Sequence, residues 1–249
     1  MLTNPEGRKV PQVTLRVRRD GQWSEIDTDR IFRGRTVVAF ALPGAFTPTC
    51  SSAHVPRYNE LAGAFRSAGV DEIVCISVND PFVMAEWQKD QNAANITFLP
   101  DGNGEFTRRM GMLVDKSDLN FGPRSWRYSM LVKDGVIQKM FIEPEKEGDP
   151  YEVSDADTML QYVAPGMQAP EPALVFTKPG CPFCARARQL LREHGVAFEE
   201  VTLGGAITSS ALRAVSGRST APQVFIGGRL VGGSEDLEKY LAERQRKAA

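Results

Sequence analysis

Cysteine and histidine are scarce in this sequence, with four of one and two of the other among 249 residues. So few thiols, so unevenly spaced, argue against the disulfide scaffold of a secreted protein. Cys50, Cys75, Cys181 and Cys184 include one close pair, and His54 and His194 add no second paired spacing of the kind a structural zinc site uses. An excess of charge of one sign is also missing: 30 basic side chains against 31 acidic ones leave a net charge of −1. That excludes the basic footprint required by nucleic acid or an anionic membrane surface. No apolar run approaches the length of a bilayer span. The opening stretch, MLTNPEGRKVPQV, has no apolar core of the kind a secretory signal carries. The expectation is a cytoplasmic protein with neither nucleic-acid nor membrane partners and no bound metal.

Apolar material is ample, at 42% of residues, and the length suits two domains better than one. Strands and helices alternate along the first half, which predicts an α/β class. Val13, Leu15 and Val17 alternate with polar residues as in a half-buried strand, and Asp20-Gly21 marks a turn. The nearly unbroken apolar runs Thr36–Leu42 and Glu72–Val78 read as central strands buried on both faces. Asn79-Asp80-Pro81 reads as a helix start. Arg127–Val132 and Val136–Ile142 read as a hairpin around Asp134-Gly135, and Ser154 with Asp157 as the cap of a short helix. The stretch Val163–Pro172 holds three prolines and few large apolar side chains, so it is the linker candidate. Domains are therefore expected at 1–163 and 173–249, joined by residues 164–172. In the second half, Ala173–Thr177 reads as a strand, Pro182–His194 as a helix stopped by Gly195, and Phe198–Thr202 as a strand. Gln223–Ile226 and Arg229–Val231 read as a hairpin, and Ser234–Arg244 as a last helix capped by Ser234. No internal repeat is present.

Chemistry concentrates at two places. In the second half, Cys181-Pro182-Phe183-Cys184 lies between a strand and a helix. A sulfur at a helix N-terminus meets unpaired N–H groups and the positive end of the dipole, which favours the thiolate at Cys181; Lys178 adds positive charge. Cys184, one turn further in, reads as the more buried resolving thiol. A zinc half-site is the competing reading and is disfavoured for want of further ligands. Arg186 and Arg188 read as parts of a solvated helix face. The stretch from about Ala173 to Leu241 resembles a glutaredoxin, on three motifs in order: CPFC, the Thr220-Ala221-Pro222 loop whose proline is cis in that fold, and Gly232-Gly233-Ser234-Glu235-Asp236. The resemblance implies a glutathione site lined by Lys178, Thr220, Ala221, Pro222, Gly233, Ser234 and Glu235. A helix N-terminus suits the γ-glutamyl carboxylate. The proline within CPFC sets the chain apart from cluster-binding glutaredoxins.

In the first half, Cys50 stands in Pro43-Gly44-Ala45-Phe46-Thr47-Pro48-Thr49-Cys50, after a buried strand and at or just before a predicted helix start. A thiolate there can attack one oxygen of a peroxide if hydrogen-bond donors support the leaving oxygen. Thr47 offers a hydroxyl, Arg127 a guanidinium from a later strand, and Pro43 a shield against bulk water. A buried structural cysteine is the bland alternative, since free cysteine is among the most buried residue types. The frame Pro43-x-x-x-Thr47-x-x-Cys50, the text GAFTPTCSSAHVPRY, the run VNDPFVM and the run Arg127-Tyr128-Ser129-Met130 resemble the type II, peroxiredoxin-5-like peroxiredoxins from about Val10 to Val163. That resemblance implies a catalytic set of Cys50, Thr47, Pro43 and Arg127. It also implies a homodimer or higher homo-oligomer through this domain. Arg124 reads as a surface residue, and His54 as structural rather than as a base. Cys75, in EIVCISV, reads as buried and inert, and the distal resolving cysteine of some relatives is missing from Glu143–Tyr151.

Taken together, the two resemblances imply two thioredoxin-fold domains, each a central mixed sheet flanked by helices. They imply a peroxidase that reduces hydrogen peroxide and alkyl hydroperoxides, with glutathione as reducing co-substrate and no cofactor. Cys181 and Cys184 would clear a glutathione adduct from Cys50. Two rivals stay open: Cys75 as an internal resolver served by a thioredoxin, and a redox sensor with little turnover.

Overall fold

The computed structural model describes residues 2–19, 22–194, 196–205 and 207–248. The chain divides into two compact units, Met1–Ala169 and Pro170–Ala249. The proline-rich segment between the expected domains is anchored at both ends. Met167 and Ala169 pack on the first unit's core, and the Pro172 carbonyl accepts the Gly227 N–H at 2.9 Å.

In the first unit, β1 (Thr14–Arg19) and β2 (Gln22–Asp27) form an antiparallel pair, with Val13, Leu15 and Val17 buried as their alternation predicts. The Asp20-Gly21 turn lies outside the described residues. Asp27 caps α1 (Thr28–Phe32) by accepting the Asp29 N–H. β3 (Thr36–Leu42) follows, then a helical stretch that becomes α2 (Val55–Glu60) and α3 (Ala62–Ser67). Next come β4 (Glu72–Ser77), α4 (Pro81–Asp90), β5 (Thr97–Pro100), α5 (Glu105–Arg109) and the short pair β6 (Leu113–Asp115) and β7 (Pro123–Ser125). β8 (Tyr128–Lys133), β9 (Val136–Ile142) and α6 (Ala156–Val163) complete the unit.

The main sheet runs β5-β4-β3-β8-β9, with β3, β4 and β5 parallel and β8 and β9 antiparallel. β3 reads as a continuous apolar run because both its faces are covered. Val38, Phe40 and Leu42 enter one core, and Val37, Ala39 and Ala41 enter the other. Asp80 caps α4 by accepting the N–H groups of Phe82 and Val83, with Pro81 in the first turn as expected. The β8–β9 hairpin turns at Asp134 and Gly135, both with positive φ (47° and 73°), as a two-residue primed turn requires. The expected cap of α6 is displaced by one residue. Asp155 accepts the Thr158 N–H, because the Ser154 hydroxyl is committed to Glu143.

The second unit comprises β10 (Ala173–Thr177), α7 (Pro182–Glu193), β11 (Glu199–Thr202), α8 (Ser209–Ser216), β12 (Gln223–Ile226), β13 (Arg229–Gly232) and α9 (Ser234–Ala248). Its sheet runs β11-β10-β12-β13, with β10 and β11 parallel and the others antiparallel. Ala187 and Leu191 of α7 and Leu237 and Leu241 of α9 pack with Val175, Val224 and Ile226. Gly195, the expected stop of α7, lies outside the described residues. α8 escaped the sequence reading: it buries only Leu212, and its signals are the Thr208 cap and Gly217 at φ 69°. α9 begins at Ser234, so Ser234 is its first helical residue rather than its cap. Each unit is a mixed sheet flanked by helices, the thioredoxin-like arrangement.

Candidate active sites

Cys50 follows the loop that leaves β3. The Asn79 side-chain carbonyl fastens this loop to the end of β4, accepting the Ala45 N–H at 3.0 Å and the Ser77 hydroxyl at 2.7 Å. Thr47 donates its hydroxyl to the Gly44 carbonyl at 2.9 Å, and its own carbonyl accepts the Ser51 N–H. Pro43 is half-buried at the loop's start. Helical conformation begins at Pro48, two residues earlier than expected, so Cys50 lies inside the first turn. From Cys50 to His54 the turn is π-helical, closed by the Val55 N–H on the Cys50 carbonyl. Pro56, next in line, has no N–H to give and its ring crowds the carbonyl four residues back, which accounts for the widening.

The wide turn places Cys50 and His54 side by side, both fully buried. Arg127 lies one residue before β8 rather than within it, and is 1% exposed. Its Nη1 stands 3.5 Å from Cys50 Sγ and 3.1 Å from His54 Nδ1, and its Nη2 pairs with Asp149. The Tyr151 ring covers the guanidinium at 5.6 Å. Burial works against the cation, but the Cys50 sulfur and the Asp149 carboxylate outweigh it and hold the Arg127 pKa above its ordinary value. For His54, burial and then the adjacent Arg127 charge press the pKa well below the histidine range. His54 Nε2 lies 3.2 Å from the Ser154 carbonyl, which can only accept, so the ring is protonated at Nε2 and Nδ1 accepts from Arg127. That leaves no lone pair to act on Cys50, and His54 is structural.

Cys75 lies opposite Phe40 on β4, fully buried in the core that also contains Cys50. Burial, with a further contribution from Cys50, pushes its thiol pKa well above the usual range. Arg124 points elsewhere. It donates to the Val78 carbonyl and lies over the Phe121 ring. Asp149, Tyr151 and Glu143 escaped the sequence reading, as did any part for Ser154 beyond capping, because nothing in a run of acids and prolines marks contacts with Arg127 or His54.

In the second unit Cys181 is the N-cap of α7, and its sulfur accepts the Cys184 N–H at 3.2 Å. Its thiol also reaches the Ala221 carbonyl at 3.8 Å. Cys181 is partly exposed and Cys184 fully buried. Burial, then the neighbouring Cys181, pushes the Cys184 thiol up to about 11. The Ala221–Pro222 bond is cis. The Pro222 carbonyl lies beside Gly233, so Cys181, Ala221, Pro222 and Gly233 are contiguous. Asp236 accepts the Gly233 N–H at 3.1 Å and pairs with Arg218, and its side chain fills the space a Cβ on Gly232 (φ 126°) would need. Lys178, Thr220 and Glu235 are exposed around this group, and Ser234 is buried. Arg186 and Arg188 pair with Glu238 and Glu200 on the helix surface. Among the described residues no three His, Cys, Asp or Glu side chains are placed to hold a metal ion, and no helix is long and apolar enough to cross a membrane.

A buried thiol against a guanidinium in one thioredoxin-like unit, and a dithiol at a helix start in another, define a thiol-based oxidoreductase. The Redoxin family model matches residues 5–160 and the Glutaredoxin model residues 173–231. The hybrid peroxiredoxin hyPrx5 of Haemophilus influenzae is 61% identical over 97% of this chain and 100% of its own length. The peroxiredoxin sll1621 of Synechocystis is 55% identical over 67% of this chain and 97% of its own. Reduced Prx3 of Vibrio vulnificus in complex with hydrogen peroxide superposes with a TM-score of 0.60 at 40% identity, covering 64% of this chain and 98% of that one. The chain belongs to the hybrid peroxiredoxins: it is a peroxiredoxin with a fused glutaredoxin domain, and so a thiol peroxidase.

Proposed function

We propose that the chain is a glutathione-dependent peroxidase in which residues 1–163 react with peroxide and residues 173–249, across the 164–172 segment, restore the reacting thiol. Cys50 thiolate attacks one oxygen of a hydroperoxide. The O–O bond breaks, the leaving oxygen takes a proton, and Cys50 becomes a sulfenic acid. Thr47 and Arg127 support the charge that moves between the oxygens, and Pro43 shields the site. Glutathione condenses with the sulfenic acid, releasing water and leaving a mixed disulfide on Cys50. Cys181 thiolate attacks the glutathione sulfur and frees Cys50 thiolate. A second glutathione, or Cys184, then clears Cys181; by the first route oxidised glutathione leaves. Lys178, Thr220, Ala221, Pro222, Gly233, Ser234 and Glu235 hold the tripeptide. No prosthetic group takes part. Hydrogen peroxide and alkyl hydroperoxides are the substrates, the compartment is cytoplasmic, and the first unit assembles as a homodimer or larger oligomer.

The observation that carries this reading is the state of Cys75. It is the one other thiol of the first unit, and its burial keeps it protonated. That disfavours internal resolution and supports an outside thiol for Cys50; a partly exposed one stands at a helix start in the second unit. The test is glutathione-driven peroxide turnover by single Cys→Ser variants. Cys50→Ser is expected to abolish turnover, Cys181→Ser to cripple it, and Cys75→Ser to leave it nearly intact. A dead Cys75→Ser with an active Cys181→Ser, and a Cys50–Cys75 link by mass spectrometry, would establish internal resolution instead.

A further inference from the structure

Glu143, just past the end of β9, carries a buried carboxylate, 1% exposed. Every partner it has is a donor. Oε1 accepts the Val153 N–H at 3.0 Å, the Ser154 N–H at 2.8 Å and the Ser154 hydroxyl at 2.7 Å, and Oε2 accepts the Glu152 N–H at 2.9 Å. A buried carboxylate is tolerated only when it is compensated in this way. The backbone of the same residue is tied to the guanidinium-bearing segment. The Glu143 N–H donates to the Arg127 carbonyl at 3.1 Å, and the Glu143 carbonyl accepts Trp126 Nε1 at 2.8 Å. One residue thus fixes segment 152–154 relative to Arg127.

That segment orients the Cys50 site along two routes. The Ser154 carbonyl meets His54 Nε2 at 3.2 Å and accepts the Tyr58 hydroxyl at 3.0 Å, which sets the His54 tautomer and so the acceptor offered to Arg127 Nη1. The loop 144–151, closed at its neck by the Glu143 carboxylate, brings Asp149 to Arg127 Nη2 and the Tyr151 ring to both the guanidinium and His54. We propose that Glu143 is a positioning residue for the peroxidase site: it clasps residues 152–154 so that His54, Asp149 and Tyr151 together aim Arg127 Nη1 at the Cys50 sulfur. The inference rests on the reading of Cys50 and Arg127 as the reacting pair.

The test uses the full-length chain with Glu143→Gln. The side chain keeps its size, but an amide NH2 then faces backbone N–H groups, and the clasp opens on that side. The rate constant of Cys50 with hydrogen peroxide is expected to fall about tenfold, since small displacements of a catalytic group carry costs of that order. The midpoint of Cys50 alkylation by iodoacetamide against pH is expected to rise by about half a pH unit or more, as a less well-aimed cation supports the thiolate less. Reduction of a small glutathione mixed disulfide by the second unit should be unchanged. A purely structural role would lower the folded fraction while the alkylation curve of the remaining protein stayed in place, and that result overturns the proposal. Should Glu143→Gln fail to fold, Ser154→Ala removes one of the four donors and keeps three. A smaller shift in the same direction supports the proposal, and an unmoved curve rejects it. Cys50→Ser separates the two layers: peroxide consumption persisting in that variant defeats the underlying reading, whatever Glu143 does.

Discussion

Neutral His54 is held between a carbonyl that accepts a hydrogen bond from its Nε2–H and a guanidinium that donates to Nδ1. Burial and the Arg127 charge both penalise the imidazolium, so its pKa is lower in the folded state than in the unfolded chain. As pH falls, the unfolded chain takes up this proton first. The stability His54 provides is therefore complete above its unfolded value of about 6.5 and declines below it, by up to about 1.4 kcal/mol per pH unit until the folded value is reached. Urea midpoints measured at neutral and mildly acidic pH should fall more for the native chain than for His54→Gln; equal falls would remove His54 as the cause. On the proposed function, Arg127 has a larger part in the chemistry. Arg127→Gln removes the charge and keeps a donor, and the loss of one preorganised transition-state partner corresponds to a slowing of about 10²–10³-fold. Stopped-flow oxidation of Cys50 checks it, and a change of less than about threefold would contradict the role. Both residues were legible as part of a local frame or a four-residue run. Asp149 and Glu143 were not, because an acid in an acidic loop announces nothing until the fold sets it on a particular donor.

Elements were legible where both local signals and packing agreed. The apolar runs of β3 and β4 needed no periodicity, since strands covered on two faces show none, and Asp80-Pro81 marked α4 because the cap and the first-turn proline act locally. The π-helical turn at Cys50–His54 was not legible, because it depends on how Pro56 meets a helix already running from Pro48. α8 was missed because one buried leucine gives no pattern. At α7 the geometry sharpens the order of the two thiols. Cys181 caps the helix, whereas Cys184 lies inside it with its thiol pushed up by burial and by Cys181, so Cys184 is the poorer source of thiolate. Thiolate is the attacking species, so free glutathione should clear Cys181 faster than Cys184 does. Cys184→Ser is therefore expected to keep glutathione-driven peroxide turnover within about threefold of the native rate, whereas a loss near that of Cys181→Ser would show that the dithiol route is obligatory.

At the scale of the whole molecule, the proposed function puts on one chain both an electrophile it makes and the thiol that clears it. Motif content made both units legible, because each carries its reacting sulfur in a short local frame. The boundary was less so: prolines marked the region, but Met167 and Ala169 belong to the first core and Pro172 to the second unit's hydrogen bonding, and neither attachment is visible in composition. On that proposal, covalent linkage turns the Cys181 step from an encounter between proteins into one at an effective concentration on the order of millimolar. Dilution then has a definite consequence. With glutathione and peroxide held constant, turnover per chain should not change as the native protein is diluted from about 10 μM to about 0.1 μM, both far below that effective concentration. An equimolar mixture of Cys50→Ser and Cys181→Ser chains has lost the same-chain pairing. Its turnover per chain should fall short of native and decline on dilution once chains no longer meet. A native rate that itself fell in proportion to dilution would mean that the second unit serves Cys50 only by free encounter, and the fusion would then contribute nothing to that step.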